Sequence, residues 1–136
     1  MIYYRVVKRQ DPASKTPKFY AQAKQQSFIN LEQVASNISS KTTFTIHDVK
    51  GVLSALQEEV ILALRDGKGV RLGDLGSFHT TLQSHGAATK EAFTTANLTH
   101  LRVRFARSAK MCSALNLANK HIQTMNLEKP EATEKE

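Results

Sequence analysis

The 136-residue sequence has one cysteine, no tryptophan and only three prolines, none of them between Pro17 and Pro130. A single thiol cannot form an internal disulfide, which excludes a stapled secreted scaffold and fits a reducing compartment. No apolar run approaches the ~20 residues of a membrane-spanning helix. The opening MIYYRVVKRQ has neither an apolar h-region nor a small-residue cleavage site, so a cytoplasmic location is expected. Acids are scarce as well: 12 Asp and Glu face 19 Lys and Arg, giving a formal charge of +7.

Catalytic groupings are also missing. His47, His79, His85, His100 and His121 show no metal-type spacing, and one cysteine cannot complete a zinc site. Cys112 lies on the apolar stripe of the last expected helix, which marks it as a core position rather than a nucleophile. Gly67-x-Gly69 and Gly73-x-x-Gly76 follow no nucleotide-binding strand and read as turn glycines. No enzyme, metal, cofactor, small-molecule substrate or membrane partner is expected.

What is present is basic charge in particular places. Residues 1–30 carry six Lys/Arg against one Asp, and residues 67–107 carry six against two acids. Between them, residues 31–66 are slightly acidic. The basic segments read as strands and the acidic one as helices. A basic protein of this kind attracts nucleic acid, an anionic membrane surface or acidic partners, and composition alone does not choose among them.

The strand reading begins with IYYRVVKR at residues 2–9 and KFYAQAK at 18–24, rich in aromatic and β-branched residues and separated by a proline-punctuated loop. Asn30 caps a first helix bearing Leu31, Val34, Ala35 and Ile38 on one face. Thr45 and Asp48 form the start of a second helix, whose stripe runs from Val49 through Val52, Leu53, Leu56 and Val60 to Leu64. Asp66-Gly67 ends it. The two make a helical hairpin. The period then changes to alternation over residues 69–83 and again over His100–Phe105, with the excursion Ser84–Leu98 between them. Ser108 caps a last helix expected to run past Leu115 and Ala118 to Ile122.

Period two assigns Arg71, His79, Thr81, Gln83, His100, Arg102 and Arg104 to the outward side of the alternating strands, a set without a single acid. Solvated strand faces usually mix signs, and the guanidinium fork suits phosphate oxygens. This face is therefore a candidate nucleic-acid-binding surface, the alternative being an ordinary solvated strand face. The N-terminal Arg5, Lys8, Arg9, Lys15 and Lys18 either extend a phosphate track or keep an edge strand soluble.

A helical hairpin, a strand pair carrying V-x-L-G-x-L-G-x-F (Val70, Leu72, Gly73, Leu75, Gly76, Ser77, Phe78), an arm-like excursion and a strand ending in Phe105 resembles the HU/IHF superfamily of histone-like DNA-binding proteins. The resemblance spans roughly residues 28–120, and the first thirty residues are similar to the extension of longer HU-like proteins of Bacteroidetes. It implies an α+β fold: a helical hairpin under an antiparallel saddle, a shortened arm, a C-terminal helix and an intertwined homodimer. The expected divisions are a strand-forming extension at 1–27, an HU-like domain at 28–122 and a charged, disordered tail at 123–136. It also implies non-sequence-specific binding of double-stranded DNA in the bacterial nucleoid through phosphate and minor-groove contacts. Arg71, Arg102 and Arg104 lead the expected contacts, with Arg107, Lys110, Lys90, His79 and His100 beside them.

The chain departs from that pattern in its arm. HU-type arms are basic and end in Arg-Asn-Pro, whereas Ser84–Leu98 offers only Lys90 and His85 and no proline. Proline wedging is excluded. Phe93 either wedges instead or anchors the short arm. The depleted arm leaves a second reading open, an HU-like interaction module that has lost most DNA affinity.

Overall fold

The structure is a computed structural model and describes residues 1–128. The chain divides into two units. One is discontinuous, Met1–Phe28 together with the chain from Leu115 onward; the other is Ile29–Ala114.

In the discontinuous unit, β1 (Ile2–Gln10) pairs antiparallel with β2 (Pro17–Lys24), as the runs of Tyr, Val and Phe dictate. The loop between them is tied by Asp11. Its amide donates to the Thr16 carbonyl at 2.9 Å, and its carboxylate accepts from Ser14 Oγ at 2.6 Å and Lys18 Nζ at 2.8 Å. Lys18 above all, then Ser14, holds the Asp11 carboxyl below its usual range. A short strand from the far end of the chain, Thr124–Asn126, lies parallel to β1 on its other side.

That strand corrects the expectation of a tail beginning at residue 123. The rest of the expected tail, from residue 129, lies outside the described residues. The last helix is corrected too. It covers Ala109–Ala114 and stops eight residues short of Ile122. Asn116 and Asn119 explain the stop. Their side chains accept from the backbone amides of Ala118 (2.9 Å) and His121 (3.0 Å), offering the chain turns in place of helical bonds. With the helix cut short, Cys112 is exposed and not a core residue.

The other unit begins with α1 (Leu31–Ser39) and α2 (Ile46–Arg65). Asn30 caps α1, its side chain accepting from the Gln33 amide at 2.8 Å. Thr45 and Asp48 form a complete capping box on α2, which satisfies two otherwise orphaned donors. At the other end, Gly67 takes a φ of +77° and Lys68 donates back to the Ala63 carbonyl, a reversal that suits glycine. Next come β3 (Val70–Arg71), β4 (Gly76–Ser84) and β5 (Leu98–Arg107), in the order β3-β4-β5. The Ala109–Ala114 helix, α3, follows β5; Thr124–Asn126 is β6.

The expected helical cover of the sheet is incomplete within one chain. α2 meets β3 and β4, yet the only buried apolar residues among those described are Ala35, Val49 and Leu64. Leu82 and Leu101, paired on the apolar side of the sheet, remain 65% and 64% exposed. Val52, Leu56, Val103 and Phe105 are exposed as well. This chain has made its apolar faces without burying them.

Candidate nucleic-acid interface

Cross-strand register fixes which side chains share a face. Residues directly opposite in an antiparallel pair point the same way, and alternation does the rest. His79 stands opposite Arg104, Thr81 opposite Arg102, and Gln83 opposite His100. Arg71 stands opposite Ser77, two residues before His79, and so joins the same side. All seven residues assigned outward by alternation thus occupy one face. The reverse side pairs Phe78 with Phe105, Thr80 with Val103 and Leu82 with Leu101. Arg102 and Arg104 are about 7 Å apart along β5, and His79, Thr81, Gln83 and both arginines line a shallow open depression.

These guanidinium groups have no ion-pair partner among the described residues. Among the described residues the ion pairs are Lys18–Asp11, Lys50–Glu32 and Lys110–Asp74, and none involves Arg71, Arg102 or Arg104. The sheet also holds the arginines on a rigid support, because β4 and β5 pair along their whole lengths up to a bulge at Gln83/Ser84. Register extends the face to Ser77 and Ala106, opposite each other and small, which keeps the ground between Arg71 and Arg104 low. Sequence alternation alone did not single them out.

The remaining candidates lie elsewhere. Arg107 is opposite Gly76 at the end of β5, where alternation turns it to the Phe105 side. Lys110 extends to Asp74, Nζ to Oδ2 3.0 Å, with both side chains about three-quarters exposed. Ser108 fastens that corner: its hydroxyl donates to the Asp74 carbonyl, its amide donates to the Leu75 carbonyl, and its oxygen caps α3 by accepting from Met111. Lys90 sits in a turn of the arm, exposed.

The arm itself is a loop of bends and turns. His85 donates to the Asn97 carbonyl at 2.8 Å, closing its base. Ala92 donates to Thr89 Oγ1, and the Thr94 amide donates to the Asn97 side chain, shaping a short 3-10 turn at Thr95–Asn97. Phe93 is 42% exposed in this compact loop. No group of three or more His, Cys, Asp or Glu able to hold a metal occurs among the described residues, and no helix among them is long and apolar enough to cross a membrane.

A capped helical hairpin leading into a three-stranded sheet with an acid-free arginine face, closed by a short serine-capped helix, is the plan of the histone-like HU class. Comparison with known families makes this specific. A family model described as HU-HIG, an HU domain fused to wHTH, Ig, or Glycine-rich motif, matches residues 1–123, and the chain belongs to that family. Among solved structures, the chain is similar to one from Bacteroides vulgatus ATCC 8482, described as a candidate bacterial DNA-binding protein. The TM-score is 0.65 at 16% identity, over 93% of this chain and 48% of that one. At that identity the likeness speaks for the fold, and the present chain spans about half the length of the solved protein. No curated protein matches the chain.

Proposed function

We propose that the protein is a nucleoid-associated DNA-binding protein that grips double-stranded DNA through its phosphate backbone and minor groove, without reading sequence. The observation that carries this is the acid-free face on which Arg71, Arg102 and Arg104 stand with His79 and His100. Phosphate contacts of this kind position a protein without specifying bases, so preference follows DNA shape and flexibility. Lys90, Arg107 and Lys110 add charge at the margins. The working form is a homodimer with the intertwined, saddle-like arrangement implied by HU kinship. Exposed Leu82, Leu101, Val103 and Phe105 support it, since covering the half or so of each side chain left open is worth on the order of 1 kcal/mol apiece. DNA binding places the protein in the cytoplasmic nucleoid, and the role is architectural rather than catalytic.

Fluorescence anisotropy of a random ~30-base-pair duplex, titrated at several salt concentrations, tests this reading. Counterion release makes log affinity fall linearly with log salt, by about 0.9 per phosphate contacted. The expected result is a steep slope that flattens in Arg102→Ala/Arg104→Ala without loss of fold. A second reading, an HU-like interaction module with little DNA affinity, draws on the compact arm with Lys90 as its one Lys or Arg. Absence of binding at low salt would select it.

A further inference from the structure

The N-terminal sheet has segregated its charge. Register places Tyr3, Arg5 and Arg9 of β1 on one face with Lys18, Tyr20 and Lys24 of β2, four cations and two phenols with no acid among the cross-strand partners. The opposite face of the same strand pair carries Lys8 as its single cation. An edge hairpin that needed charge only for solubility would gain as much from cations on either face.

Individual contacts sharpen the contrast. Arg9 stands directly across from Lys18, and a like-charge pair in that position is destabilising unless something neutralises it. Asp11 takes up Lys18 at the loop end, Nζ to Oδ2 2.8 Å. Arg9 and Lys24 have no ion-pair partner among the described residues. Arg5 is laid across the strands by Gln22, its Nε and Nη2 lying 3.3 and 3.2 Å from Oε1. That contact orients the guanidinium before any ligand arrives. Tyr3 and Tyr20 add hydroxyl donors to the same side. A preset arginine, two unpaired cations and two phenols on one sheet face complement a polyphosphate chain in charge and in donor chemistry.

We propose that this face of the N-terminal sheet is a second DNA-binding surface, holding a duplex phosphate backbone through Arg5, Arg9 and Lys24 with the hydroxyls of Tyr3 and Tyr20. It shares its ligand with the arginine face of β4 and β5 and requires none of that face's residues.

The test uses the full chain carrying Arg9→Gln/Lys24→Gln, positions that are exposed and whose side chains make no ion pair among the described residues, so the melting temperature should be unchanged. Salt-dependent anisotropy on the ~30-base-pair duplex should lose about 1.8 from its log–log slope, so that between 50 and 200 mM salt the variant loses roughly tenfold less affinity than wild type. Lys41→Gln/Lys120→Gln removes the same net charge elsewhere and should leave the slope near that of wild type. Equal flattening in both variants overturns the proposal, because net charge alone would then explain it. So does a change confined to a single-stranded oligonucleotide. If only Arg102→Ala/Arg104→Ala flattens the slope, this proposal falls and the proposed function stands. If only Arg9→Gln/Lys24→Gln does so, the second surface stands and the assignment of the β4–β5 face falls.

Discussion

Phe78 and Phe105 face each other across β4 and β5, ring centroids 5.0 Å apart and planes tilted by 50°. The pair joins the two strands on the side opposite Arg102 and Arg104 and so holds the support on which the arginines stand. Tilted aromatic pairs add about 0.5–1.5 kcal/mol to the burial of their surfaces. Phe105→Ala should therefore destabilise the protein by roughly 1.5–3 kcal/mol, below the usual cost of a deep core phenylalanine because the ring is 46% exposed. Urea unfolding at fixed protein concentration reads this as a lower midpoint with an unchanged slope.

Gly76 sits against that pair. Its φ is +148°, and a Cβ there would collide with the Ala106 carbonyl oxygen and come within 2.9 Å of the Phe105 ring. The half-exposed ring has room to turn aside, but the Ala106 carbonyl is backbone within the β4–β5 ladder and does not. Gly76→Ala should cost about 3 kcal/mol or more and should broaden amide resonances along β4 and β5. A variant as stable as wild type would show that the strands can part without loss.

The Thr45–Asp48 box makes α2 sensitive to acid. Hydrogen bonds from the Thr45 hydroxyl and amide lower the Asp48 carboxyl below its ordinary 3.8. A carboxyl depressed in the folded state stabilises fully above its unfolded pKa, and that stabilisation disappears as pH falls through the folded value. Thr45→Ala should lower stability by about 1 kcal/mol at neutral pH. The difference from wild type should shrink below about pH 4, as followed by helical circular dichroism during acid titration.

Exposed apolar faces such as that of β5 make the dependence of stability on concentration a test of the proposed homodimer. If a second copy covers them, the melting temperature rises with protein concentration, as it does whenever association favours the folded state. Val103→Lys, in the middle of the apolar side of β5, should drive sedimentation equilibrium toward monomer and lower the melting temperature. A wild-type chain that remains monomeric and melts at a concentration-independent temperature would remove the homodimer.

The arginine face was legible in the sequence because strand alternation has a period of two and the apolar partners Phe78, Leu82, Leu101, Val103 and Phe105 fixed its phase. Helix starts were legible for a similarly local reason, since Asn30 and Thr45 act on amides three residues away. Cover was not legible. A stripe such as Val49–Leu64 states which side seeks burial, not what will bury it, and the structure leaves much of that stripe open. Nor was β6, three residues whose partner lies more than a hundred positions earlier. The apolar spacing of α3 runs on past Ala114, while the breaking signal lies in two asparagines whose side chains favour local turns over helix. Lys24 was missed as a companion of Arg5 and Arg9 because membership of their face depends on register, which only the closed hairpin reveals.

The parallel pairing of β1 with β6 also sets an order in time. Ile2 donates to the Gln123 carbonyl at 2.8 Å, and Leu127 donates to the Tyr4 carbonyl at 3.0 Å. During translation β1 is made more than a hundred residues before its second neighbour. At about 5–20 residues per second, the N-terminal hairpin waits roughly 5–25 s with one edge unpaired. Nascent chains crowded on one message would bring many such edges together. The β1 edge is thus open during synthesis to cross-pairing between neighbouring copies, and lysine or proline introduced there would be felt in yield.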